Sequence, residues 1–146
     1  MATTYGSPTK LSKKDERSLI LQLLYTVEFR SEDTTINNII EDYFTEYGIL
    51  IEQNGEIIKT VTEINKLKDN LEKEIEPYLE NWKINRLSTM VRLILRYAIW
   101  ELKIKQEDPP LVINEAIELS KCFAEADSYR FINGILDKWV KNNTQI

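Results

Sequence analysis

Between Arg86 and Lys105 the chain offers almost no polar face, because Leu87, Met90, Val91, Leu93, Ile94, Leu95, Tyr97, Ala98, Ile99, Trp100 and Leu102 surround any helix it forms. A helix apolar nearly all round must be covered by neighbours on every side, so this segment predicts the central helix of a bundle. The Asp108-Pro109-Pro110 run closes it, since adjacent prolines cannot extend a helical ladder.

The flanking sequence supplies the covering helices. From Lys10 to Glu28, the residues Leu19, Ile20, Leu23, Leu24 and Val27 recur at helical spacing, and Ser31 to Thr34 form a polar cluster that can end one helix and cap the next. Ile36, Ile39, Ile40, Tyr43, Phe44 and Tyr47 predict a second helix, ending at Gly48. Asn54-Gly55 reads as a loop turn. The stripe Ile57, Ile58, Val61, Ile64, Leu67, Leu71 and Ile75 then predicts one long third helix, interrupted at Pro77. A short connection holds Leu79 and Trp82. Beyond the proline pair, a helix is expected to start near Val112 to Glu115 with Asn114 as a cap. A last one carries Phe131, Ile132, Ile135, Leu136, Trp139 and Val140 inward behind an Asp127 or Ser128 cap.

Composition narrows the function. The chain has no histidine, the side chain most used for acid-base catalysis near neutral pH and the commonest metal ligand, so neither a catalytic nor a metal site is expected. One cysteine, Cys122, cannot form an internal disulfide, and no apolar run approaches the roughly 18 residues that would suggest a membrane span. A reducing cytoplasm fits. With a net charge of -5, any nucleic-acid site must be local. Cys122 is expected to be a packed, inert thiol; Trp82, Trp100 and Trp139 are expected to anchor the core.

Three blocks in order, Leu95-Arg96-Tyr97-Ala98-Ile99-Trp100-Glu101-Leu102, Ile113-Asn114-Glu115-Ala116-Ile117-Glu118-Leu119-Ser120-Lys121 and Phe131-Ile132-Asn133-Gly134-Ile135-Leu136-Asp137-Lys138, resemble the NusB family of bacterial transcription antitermination factors. The resemblance extends back through Pro77-Tyr78-Leu79 and, more loosely, to Leu21-Gln22-Leu23-Leu24-Tyr25. It implies an all-α fold, a compact bundle of about seven helices in two packed subdomains, working without a cofactor. It further implies pairing with the ribosomal protein that acts as NusE, joint binding of boxA-like RNA in nascent ribosomal RNA transcripts, and action on the transcription elongation complex.

The resemblance assigns RNA contacts to the start of the first helix, here Lys10, Lys13, Lys14 and Arg17, and to the start of the last, here Asp127, Tyr129, Arg130 and Phe131. Spacing alone reads the first group as an ordinary solvated face tempered by Asp15 and Glu16. Clustered cations there would supply the salt-sensitive attraction to phosphate, and Tyr129 a surface for base stacking. Gly134 falls on the outward face of the last helix, suited either to close approach by another molecule or to tight packing of a neighbouring helix. Tyr25, Val91 and Arg92 are the partner-contact candidates, Val91 standing where many relatives carry an acidic residue. Arg96 is expected to be structural, paired with Glu101, Glu115 or Glu118, because a buried guanidinium needs a partner.

The expected organisation is a flexible tail over residues 1–9, a helical domain over 10–142 with subdomains 10–76 and 77–142, and a frayed end over 143–146. Three alternatives keep the fold: an accessory RNA-binding domain, a module acting mainly through protein contacts, and a homodimer that hides the RNA face.

Overall fold

The computed structural model describes residues 8–30, 35–48 and 50–143; the polar cluster at residues 31–34, the tail over 1–7 and the last three residues lie outside them. Among the described residues the fold is all-α, with seven helices: α1 (Lys13–Glu28), α2 (Ile36–Tyr47), α3 (Asn54–Lys66), α4 (Lys68–Ile75), α5 (Thr89–Lys103), α6 (Pro109–Phe123) and α7 (Ser128–Asn143). Two single 3-10 turns, Glu76–Tyr78 and Ile84–Arg86, lie between α4 and α5.

Caps written in the sequence set most of the helix starts. Ser12, Thr35, Ser88 and Asp108 accept from the backbone N–H three residues on, which opens α1, α2, α5 and α6. Lys10 therefore precedes α1 rather than belonging to it. Gly48 closes α2 in the left-handed conformation at φ 62°, which a residue without Cβ adopts freely.

Three boundaries differ from the sequence expectation. Pro109 and Pro110 do not terminate α5, which has already ended at Lys103; they open α6, where a missing N–H costs nothing and the fixed φ suits the first turn. Asn54 and Gly55 form the first residues of α3 instead of a loop. The single long third helix is two, α3 and α4, parted at Leu67, whose φ of -93° and ψ of 7° leave the helical region.

The chain divides into one unit ending at Asn65 and another beginning at Lys66, whereas the sequence expectation put the division at Pro77. The difference is α4, which packs on α5. There Glu72, almost fully buried, accepts at Oε1 from Arg92 (Nη2 at 2.8 Å, Nε at 3.2 Å) and from Arg96 Nη2 at 3.1 Å. Arg96 is thus structural, with Glu72 as a partner that local spacing did not suggest.

In the unit from Lys66, α5 packs on α4, α6 and α7, and α6 on α7. Leu93, Ile94, Leu95 and Ile99 of α5 are essentially inaccessible, as are Ile132 and Leu136 of α7. Each such side chain contributes about 1.5–3 kcal/mol relative to exposure, which is why the central helix tolerates so few polar residues. Trp100 and Trp139 are buried as expected; Trp82 is not, standing 58% exposed in the turn between α4 and α5. In the unit ending at Asn65, α1 packs on α2, and Leu21, Leu23, Ile40, Ile57 and Ile64 are fully covered.

An extended segment ahead of α1 is tied into that first unit. Thr9 makes an isolated parallel bridge with Ile51: its N–H donates to the Leu50 carbonyl at 2.9 Å, and its carbonyl accepts from Glu52 N–H at 2.9 Å. Thr9, expected to be tail, is part of the fold.

Candidate nucleic-acid interface

In the first unit, the cations at the start of α1 reach solvent. Lys10, Lys13 and Lys14 are exposed and Arg17 is half-exposed. Further along α1, Tyr25 and Phe29 are 41% and 63% exposed, with ring centroids 4.8 Å apart. Phe29 was absent from the sequence candidates; its place one turn beyond Tyr25 was the signal that marks it.

In the second unit, the start of α7 gathers aromatic and cationic groups. Arg130 Nε donates to the Tyr129 hydroxyl at 3.1 Å, and its guanidinium carbon lies 5.6 Å from the Tyr129 ring. The hydrogen bond to that hydroxyl pushes the Arg130 guanidinium above its ordinary value. Lys121 of α6 places Nζ 5.1 Å from the same ring. Lys121 was not singled out beforehand, because only the packing of α6 on α7 brings it to Tyr129. Asp127, exposed, adopts φ 72° immediately before α7, a conformation that Asp tolerates better than most residues, and its carbonyl accepts from Arg130 N–H at 3.2 Å.

Phe131 turns the other way. With Val91, Leu87 and the exposed Trp82 it walls a cavity of about 240 Å³, so the structure brings together two sequence candidates assigned to different roles. Arg86, Ser88, Ser128 and Glu125 form its polar rim. Glu125 Oε2 accepts from Ser128 Oγ at 3.1 Å and Ser88 Oγ at 3.2 Å. Its own backbone N–H holds the carboxyl below its ordinary value against an opposing effect of burial, and the Ser128 and Ser88 hydroxyls add smaller lowering effects. Val91 itself is buried, and Arg92 is committed to Glu72. Of the partner-contact candidates, Tyr25 has the most exposed side chain.

Gly134 is exposed, and a Cβ built on it meets nothing within 4 Å, so tight packing of a neighbouring helix does not account for it. Cys122 is exposed and free rather than packed. No group of three or more His, Cys, Asp or Glu among the described residues could hold a metal ion, and no described helix is long and apolar enough to cross a membrane.

Helices that expose cations and aromatic rings, one of them also walling a shallow cavity, define a class: a small all-α recognition protein. Comparison with known proteins narrows it. The NusB family model matches residues 14–141, nearly the whole chain, and the chain belongs to the NusB family. It is 36% identical over 126 residues to the transcription antitermination protein NusB of Staphylococcus carnosus, covering 86% of this chain and 97% of that one. The solved structure of T. maritima NusB superposes with a TM-score of 0.79 at 29% identity, over 94% of this chain and 96% of the other. The same fold, at TM-score 0.75 and 23% identity over 89% and 96% of the two chains, occurs in a crystal structure of the antitermination factors NusB and NusE in complex with dsRNA.

Proposed function

We propose that this chain is a transcription antitermination factor that binds boxA-like RNA jointly with a ribosomal protein acting as NusE, in the bacterial cytoplasm, by recognition and without bond-making chemistry. The observation that carries the reading is likeness along nearly the whole length of an antitermination protein, with no large part of that relative left unmatched.

The geometry supports it in both units. Lys10, Lys13, Lys14 and Arg17 supply the phosphate-directed attraction that an overall charge of -5 cannot. Tyr129, Arg130 and Lys121 add charge beside an aromatic ring, Phe131 offers an apolar wall to an unpaired base, and the exposed Asp127 just before α7 offers a hydrogen-bond acceptor. Tyr25 and Phe29 offer the ribosomal protein an aromatic anchor of the kind that dominates interface energetics. Val91 and Arg92 act behind the surface, one as a cavity wall and the other as a structural ion pair.

Fluorescence anisotropy with a boxA-like RNA and a scrambled control, each with and without the ribosomal protein, tests the reading. The expected result is tighter binding of the boxA-like RNA in the presence of partner, with affinity falling as salt rises. Equal affinity for both RNAs under all conditions overturns it, and partner binding retained in that case leaves a protein-only module.

A further inference from the structure

The reach of Lys10 toward RNA depends on a side chain far from it in sequence. We infer that Gln53 is a positioning residue for the basic start of α1, its side-chain amide holding the segment from Thr9 to Leu11 in the place from which Lys10 meets a phosphate; the inference rests on the RNA reading above.

The Gln53 amide makes the two hydrogen bonds that a neighbouring strand residue would make. Leu11 N–H donates to Gln53 Oε1 at 3.2 Å, and Gln53 Nε2 donates to the Leu11 carbonyl at 2.8 Å. Two residues earlier, Thr9 is held by the Leu50 carbonyl and the Glu52 N–H. Four hydrogen bonds thus pin both neighbours of Lys10, while Lys10 itself is exposed. Ser12 then caps α1, so the pinned segment runs without a free residue into the helix that carries Lys13 and Lys14.

An extended segment with no such restraint samples many backbone conformations, and a cation on it gives up that freedom when it settles on a phosphate. A segment already fixed has little left to lose, so it can form a phosphate contact that a freed segment, with its ordering cost still to meet, forgoes. An amide suits the task where a carboxylate or an alkyl group does not, because only it both donates and accepts at one backbone position.

Gln53→Leu in the full chain, assayed with the partner and the boxA-like RNA, tests the inference. RNA affinity is expected to fall about fivefold, of the order set by freeing one backbone residue. The slope of log affinity against log salt is expected to shrink by about 0.7, one phosphate contact to single-stranded RNA. Lys10→Ala should produce the same change of slope, and the double variant should be no weaker than Lys10→Ala alone, since Gln53 acts through Lys10. Thr9→Pro, which removes the N–H bonded to Leu50, is the second variant and should behave likewise. Amide exchange at Leu11 confirms release of the segment, and unchanged affinity for the ribosomal protein confirms that α1 is intact. Wild-type affinity and slope despite rapid Leu11 exchange overturn the inference alone, as does a Gln53→Leu loss that adds in full to that of Lys10→Ala. Failure of the unmodified chain to distinguish the two RNAs overturns the RNA reading and this inference with it.

Discussion

Glu72 concentrates a large share of the second unit's polar risk in one oxygen atom. Its Oε1 accepts from both Arg92 and Arg96, and the Arg96 side chain is almost completely covered. Removing one member of a buried ionic cluster leaves charge without compensation, whereas a half-exposed member falls back on water. Glu72→Ala is therefore expected to destabilise the protein by about 3 kcal/mol. Arg92→Ala, at the wetter edge of the cluster, is expected to cost about 1 kcal/mol. Urea denaturation measures both, and equal losses would refute this division of labour. The need for a partner at Arg96 was legible in the sequence, since a guanidinium inside an apolar stripe must be satisfied. Its partner was not, because Glu72 lies 24 residues away on another helix and becomes a neighbour only through packing.

At the level of the helix, Gly134 is a weakness that nothing in the described surroundings requires. Its position is open to solvent and meets no atom a methyl group would strike. Gly134→Ala is expected to raise stability by about 1 kcal/mol, read from the urea midpoint, and a loss of stability would reveal a constraint not visible in the packing. The same scale separates what the sequence revealed from what it hid. The central helix α5 was legible because its composition forces burial on all sides. The parting of α3 from α4 was not, since Ile57, Val61, Ile64, Leu71 and Ile75 keep a helical period straight through Leu67 and no glycine or proline marks the step. Proline pairs and Asn-Gly are ambiguous punctuation: each can close one element or open the next, and here both open helices. Trp82 misled for a related reason, because a large aromatic beside a chain reversal can point inward or outward with equal ease. In the candidate interface, α1 cations and α7 aromatics were singled out through the family resemblance and not by spacing, whereas Lys121 and the shared cavity of Val91 and Phe131 exist only once α6 and α5 are packed against α7.

For the molecule as a whole, acid is the solvent condition to which folding should be most sensitive. The Glu74 carboxyl is held below its ordinary value of 4.5 by hydrogen bonds from Lys103 and then from Trp139 Nε1, against a smaller effect of burial. Glu80 is lowered by Lys138, and Glu125 by its own amide and two serines. Carboxyls lowered by folding stabilise the native state fully above their unfolded value, and that stabilisation disappears as pH falls through the folded value. The urea midpoint is accordingly expected to hold between about pH 7 and pH 5 and to drop below 4.5. Glu74→Gln should lower the midpoint at neutral pH, with the gap to the parent closing in acid; a gap that persists at about pH 3 would exclude this origin. The bridge between Thr9 and Ile51 carries a consequence in time as well as in space. Gln53 and Leu11 are 42 residues apart, so closing that loop loses chain entropy that helix formation within α1 does not. During synthesis, the residues that anchor the basic start of α1 emerge only after α1 and α2 have been made. The α1 part of the surface assigned to RNA is thus translated before the residues that give it its shape.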